Sequence, residues 1–273
     1  MKQLEEILEQ VNFKVIRERI FNPAKKDTGF DTLYREDTGD NLGVVSRNYG
    51  LATHSEVLEK VAEEFKKSKL PEALPLYLDL PKNGAMMFLE LRFSKEFNLS
   101  TKSDPDYISP GAIVVNSYNR KLQFDLQGFI YRVVCSNKAV VKESLFQYRS
   151  RHTKRLLVDE PVKKFVEVYP NFEKIVIPRL SQMTKEIVPE NKILSTLDQF
   201  PGWIQEESLQ YLAERKFITY KEENNEVEIS KTDKKLTVWD FVNTFTFVLT
   251  HTGSVSTESR LKYLFTLSSI FSL

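Results

Sequence analysis

Cysteine is almost missing: Cys135 stands alone in 273 residues. An internal disulfide is excluded, and a reducing, cytoplasmic setting is expected, the host cytoplasm if the chain is viral. Glycine is scarce at nine residues, and no lysine follows a glycine-rich loop, so a P-loop for nucleotide hydrolysis is not expected. The three histidines, His54, His152 and His251, lie far apart and none is at i, i+4 spacing with another, which argues against a metal site; no cofactor is expected. No G-x-S-x-G elbow occurs, and Cys135 falls in an apolar run where a buried, inert thiol is expected. No apolar run approaches the ~20 residues that span a bilayer. The opening MKQLEEILEQ is acidic and helical, unlike a secretory signal. No membrane partner is expected.

What is present is a composition suited to a globular domain or two, with 41% hydrophobic and 28% charged residues. Net charge is only +1, yet it is segregated. Residues 120–155 hold nine Lys/Arg against two acids, while the chain on either side is mildly acidic. A polyanion responds to such a local patch and not to the total. Phe124, Phe129, Tyr131, Phe146 and Tyr148 are interleaved with the charge. Cations that neutralise phosphates beside rings that stack on bases are the chemistry of single-strand binding. A sheet with core aromatics and a solvated edge gives the same pattern, and both readings stay open.

Along the chain, Leu4, Ile7, Leu8, Val11, Val15 and Ile16 predict an amphipathic helix over 3–20, and the polar stretch 22–41 reads as a long loop. A short strand follows at 42–46. Thr53 and Glu56 have capping-box spacing ahead of a helix burying Val57, Leu58, Val61, Ala62 and Phe65. From Ala73 the period becomes two. A hairpin turns at Pro81-Lys82-Asn83-Gly84, with Asp79 and Glu90 facing each other across it. A second hairpin joins 112–117 to 121–127, with Leu122, Phe124 and Leu126 on one face and Lys121, Gln123, Asp125 and Gln127 on the other. The chain beyond Pro161 is mostly helical, with a charged loop or small hairpin over 221–235. The fold expected is α+β: antiparallel hairpins packed on helices over 1–160, then a helical region over 161–273, either separate or packed on the sheet.

The motif order LGVVSRNYGLATHSEV, GFIYRVVCSN, RSRHTKR and TVWDFVNTFTFVLTH, followed by a terminal helix, resembles the phage/plasmid-like proteins of unknown function. Those proteins show a V-C-x-N turn, an H-T segment and a T-x-W-x-x-x-N-x-x-T helix. Lys138 stands where the family has glycine after that turn, and Thr244 where its helix has alanine. The resemblance implies a mobile-element setting near replication and recombination. The order of helix, hairpins and helices is similar, as a fold pattern only, to single-strand annealing proteins of the Erf type.

These readings lead to a non-enzymatic single-stranded DNA-binding protein that promotes annealing or recombination, assembled as a homo-oligomeric ring or filament. Its expected contacts are Arg120, Lys121, Arg132, Arg149, Arg151, Lys154 and Arg155 on phosphates, with Tyr131 and Tyr148 on bases. His152 is either a phosphate contact or a local hydrogen-bonding residue. The rivals are a phage protein-interaction or structural role, in which the basic segment meets an acidic protein, and a magnesium nuclease built on Asp79 and Glu90.

Overall fold

The computed structural model describes residues 2–99, 106–132, 138–140, 147–153, 158–223, 226–251 and 255–271. It is α+β. The chain divides into two compact units, neither of them one continuous stretch: residues 1–95, 110–128 and 143–169 form the first, and 96–109, 129–142 and 170–273 the second.

In the first unit, helix α1 (Lys2–Val11) is shorter than its apolar spacing suggests, and Val15–Phe21 is strand β1. Val15 and Ile16 fit a helical stripe and a strand equally well, and pairing decides between them. β1 runs antiparallel to β2 (Asp27–Arg35), which occupies most of the segment expected to be a loop, and β2 pairs with β3 (Asn41–Ser46). Arg17 binds this sheet to the segment after it: its Nε meets Asp31 at 2.7 Å, and its two Nη atoms donate to the carbonyls of Tyr49, Ser46 and Arg47.

Helix α2 (His54–Lys67) starts where the capping box places it, with both Thr53 and Glu56 hydrogen bonds formed, and buries Val57, Leu58, Val61 and Phe65. It packs in one apolar cluster with Met87, Leu89, Leu91, Phe93, Val114, Phe124 and Leu126 of the main sheet. That sheet is seven-stranded in the order β10-β8-β7-β5-β4, with β6 (Phe97–Asn98) paired to β7 and β9 (Lys138–Val140) paired to β8. Its other members are β4 (Ala73–Asp79), β5 (Met86–Phe93), β7 (Tyr107–Ser117), β8 (Phe124–Arg132) and β10 (Gln147–Ser150). The β4–β5 turn needs three consecutive left-handed residues, Lys82, Asn83 and Gly84 at φ 56°, 58° and 89°. A Cβ on Gly84 would also lie 2.8 Å from the Phe13 ring, so both conformation and space favour glycine there. Register pairs Asp79 with Phe88 and Glu90 with Tyr77, which sets the two carboxylates diagonally and not directly opposite.

β8 keeps the expected face division, with Phe124 and Leu126 in the α2 cluster and Asp125 bonded to Gln127, but both faces are buried. Residues Phe124 to Ile130 are all buried, Asp125 and Gln127 among them, because both faces of the strand are covered. β7 starts in the second unit and ends in the first, whereas β8 and the helical run formed by α3 (Asp159–Asn171) and α4 (Ile177–Met183) start in the first and end in the second. Between these helices the chain widens to a π turn over Phe172–Val176, flanked by Pro170 and Pro178, which lack the N–H a regular helix uses.

The second unit is built around α7 (Val238–His251), whose Trp239, Phe241, Val242, Phe245, Val248 and Leu249 are buried, giving a helix apolar on nearly every side. Phe245 packs on Phe200, Phe241 on Phe271 of α8 (Thr257–Phe271), and Phe247 on Tyr211 of α6 (Gly202–Glu214). Helix α5 (Glu190–Leu197) and the hairpin of β11 (Ile218–Glu223) and β12 (Glu226–Lys231) complete it. The charged stretch over 221–235 is therefore in large part this hairpin. Among the described residues no helix is long and apolar enough to cross a membrane.

Candidate nucleic-acid interface

The basic segment 120–155 is divided between the two units. Arg120 and Lys121 are exposed on the β7–β8 turn, Arg120 in the left-handed region at φ 63°. Arg151 is exposed just after β10, and because Ser150 pairs with Phe124 it lies at the same end of the sheet as that turn. These three form a small cationic group in the first unit. Arg149 is committed elsewhere: its Nε donates to Asp125 at 2.9 Å, where Gln127 and Gln147 also donate. Burial pushes the Asp125 carboxyl up, and the Arg149 hydrogen bond pulls it part of the way back. Lys154, Arg155, Phe146 and Cys135 lie outside the described residues.

The rings expected to meet bases are differently placed. Phe124 and Phe129 are in the core, and Tyr148 is half-buried against the α2 cluster. Tyr131 is half-buried in the second unit. His152 stacks on Tyr49 with centroids 5.0 Å apart, its Nδ1 is 3.3 Å from the Gly50 carbonyl, and burial lowers its pKa. That is the environment of a neutral, local hydrogen-bonding histidine. His54 is similar and fully buried, between the Gly84 carbonyl at 2.9 Å and the Asn116 amide at 2.9 Å, stacked on Tyr118, with its pKa pushed down to about 3 by desolvation. The stretch SRNYGLATH thus serves the fold: Tyr49 donates to the Ser117 carbonyl and Tyr118 accepts the His54 N–H.

Cations converge instead in the second unit. A cleft of about 730 Å³ is lined by Arg132, Lys185, Arg215, Lys234 and Lys235, against one acid, Asp240. Local structure explains each position. Helix α6 ends at Arg215, and Lys216 takes the left-handed conformation at φ 60° that reverses the chain into β11. The guanidinium of Arg215 thereby lies over the Tyr211 ring at 4.5 Å. Ile218 of β11 pairs with Lys231 of β12, so the residues flanking the hairpin are neighbours. Lys234 donates to the Arg215 carbonyl at 2.9 Å and sits 4.0 Å over the Phe217 ring. Leu236, buried, accepts from the Val188 N–H, while Val238 donates to Glu186; these two bonds hold the 184–188 segment, and with it Lys185, on the cleft wall.

Arg132 comes from the end of β8. Asp106 grips it with both oxygens, at 2.6 and 3.1 Å, and accepts from Trp239 Nε1 at 2.8 Å, which fixes the guanidinium plane. The lining acid, Asp240, is engaged in capping α7: Thr237 Oγ1 donates to it at 2.6 Å and accepts the Asp240 N–H at 3.1 Å. The N-terminal end of that helix opens on the cleft and adds positive potential. Among the described residues, no group of three or more His, Cys, Asp or Glu side chains is placed to hold a metal ion.

Of the predicted contacts among the described residues, only Arg132 lines this cleft. Lys185, Arg215, Lys234 and Lys235 were missed, although a signal existed: a hairpin over the charged stretch necessarily brings the pairs Arg215-Lys216 and Lys234-Lys235 to one end.

An α+β protein with a cationic cleft is the class these features define. By sequence the chain belongs to the family described as Domain of unknown function (DUF932), whose profile matches residues 41–265. No curated protein and no solved structure matches it.

Proposed function

We propose that the protein binds single-stranded nucleic acid through its phosphates, without cutting it, and promotes strand annealing in the recombination of a phage or other mobile element. The observation that carries this reading is the cleft, in which Lys185, Arg215, Lys234 and Lys235, together with Arg132 already paired to Asp106, face one lining acid occupied in capping a helix. Its volume of about 730 Å³ falls within the usual range of small-ligand sites, about 300–1,000 Å³, so it suits a short stretch of strand. The Tyr211 and Phe217 rings beside it are already covered by Arg215 and Lys234, which makes the cleft a reader of phosphate and not of base identity. Sequence-blind phosphate binding is what an annealing protein requires, since it must accept any pair of complementary strands. Modest total charge assists release of the duplex product. The annealing role, the mobile-element setting and assembly into a ring or filament draw support from the motif order and fold pattern described above. The three cations Arg120, Lys121 and Arg151 offer a lesser contact in the first unit.

The test is a binding titration with a labelled single-stranded oligonucleotide from low to high salt. Each phosphate neutralised contributes roughly 0.7 to the log–log salt slope for single strands. Arg215→Ala with Lys235→Ala is expected to weaken binding at low salt and to flatten the slope by about 1.4. An unchanged slope in that double variant would remove the cleft from the reading.

A further inference from the structure

If the cleft reads only phosphate, the preference for an unpaired strand has to come from exposed rings elsewhere. Phe21 and Phe30 are the two most exposed rings among the described residues, at 54% and 44%. Phe21 ends β1, paired with Asp27 where the strands leave the turn, and Phe30 lies within β2, paired with Ser46 of β3; every residue from Phe21 to Phe30 is exposed. A single exposed ring is ordinary on a protein surface. Here the ribbon holding two of them is tightly built. Asn22 donates its N–H to the Lys26 carbonyl at 2.8 Å and accepts the Lys26 N–H on its side chain at 2.9 Å; Thr28 Oγ1 donates to Ile20 at 2.6 Å. Asp27, the acid of the loop, is in an ion pair with Arg47, which leaves Lys25 and Lys26 as its net charge.

We infer that this ribbon is a base-stacking element for single-stranded nucleic acid, in which Phe21 and Phe30 take the faces of unpaired bases while Lys25 and Lys26 meet the adjoining phosphates. The inference rests on the nucleic-acid reading above and adds to it the discrimination between strand and duplex. Duplex bases are already stacked on one another and offer no free face to a ring, whereas a single strand does. Charge selects the occupant: two lysines in the same exposed run of chain as two bare rings complement a polyanion whose monomers carry flat faces.

The experiment compares the full-length wild type with Phe21→Ala/Phe30→Ala and with the cleft variant Arg215→Ala/Lys235→Ala. Each is titrated into a labelled single strand and into its duplex, and solution mass is followed by light scattering. The phenylalanine variant is expected to lose about tenfold or more in single-strand affinity as unpaired bases lose their stacking platforms, with duplex affinity and salt slope unmoved. A strand carrying 2-aminopurine is expected to show a fluorescence change with the wild type that this variant loses. Single-strand affinity within twofold of wild type overturns the stacking role and leaves the cleft standing. Loss of the phenylalanine effect from a wild type that binds neither oligonucleotide cannot arise, so a non-binding wild type overturns both readings together. Should only the cleft variant bind normally, the ribbon stands and the cleft reading falls. A wild-type dimer that the phenylalanine variant dissociates, with oligonucleotide binding unaltered, assigns the ribbon to a second copy of the chain and overturns the inference.

Discussion

Two basic regions of this chain invert the order that sequence density suggests. Residues 120–155 are the richest in Lys and Arg, yet Arg149 is bound to Asp125 and Arg132 to Asp106, and the described remainder in the first unit is a group of three at one sheet end. The cations at 185, 215, 234 and 235 are spread over fifty residues and meet in one cleft. Local charge density measures how many cations a segment carries. The field offered to a ligand depends on which acids fold against them and on which turns bring distant pairs together.

That contrast can be broken by variants on its first-unit side. The largest effect is expected at Arg149, on stability. Arg149→Ala strands the buried Asp125 carboxylate and is expected to cost about 1–3 kcal/mol in urea unfolding, with much of it restored by adding Asp125→Asn. An Arg149→Ala protein of unchanged stability would mean that this arginine is as available to a ligand as the cleft cations.

A second, intermediate effect is expected from acid. The His54 pKa is lowered from 6.5 to about 3 in the folded protein, so the unfolded chain binds the proton more readily. Its stabilising contribution is full above pH 6.5 and drains away as pH falls toward 3. His152, also lowered, acts in the same direction. Urea midpoints measured from pH 7.5 downward are expected to fall through this window, and a His54→Gln variant, weaker at the start, is expected to fall less steeply. Parallel curves for the two proteins would show that His54 does not govern the acid response of the first unit.

The smallest effect is expected at Arg151. Arg151→Ala should reduce single-strand affinity two- to threefold at low salt, as one exposed cation in a group of three. A loss as large as that of the cleft double variant would move the principal interface to the first unit.

Elements with strong local chemistry were legible in the sequence. The capping box at Thr53 and Glu56, the left-handed turn around Asn83-Gly84 and the first hairpin of the main sheet occur as their residues dictate, and the second hairpin forms with its later arm starting at Phe124 and not Lys121. The first forty residues were misread because Val15 and Ile16 extend a helical stripe by coincidence, and strand β2 shows as a strand only beside β1 and β3. β8 divides into two faces as its alternation dictates, but the burial of Asp125 and Gln127 was not legible, because the Arg149 and Gln147 side chains that bond Asp125 come from a strand some twenty residues later. The cleft was the least legible feature, being made of residues whose closeness depends on a hairpin, a helix end and the segment before α5.

The stacking of Arg215 on Tyr211 and of Lys234 on Phe217 has a kinetic and entropic consequence. Long cationic side chains ordinarily surrender rotamer freedom when they grip a ligand, at a cost of about 0.5–1.5 kcal/mol each. These two are already confined by a ring, and Lys234 also by the Arg215 carbonyl, so much of that ordering is complete before any phosphate arrives. Removing the Tyr211 ring would therefore loosen the grip on an anion while leaving the number of charges untouched.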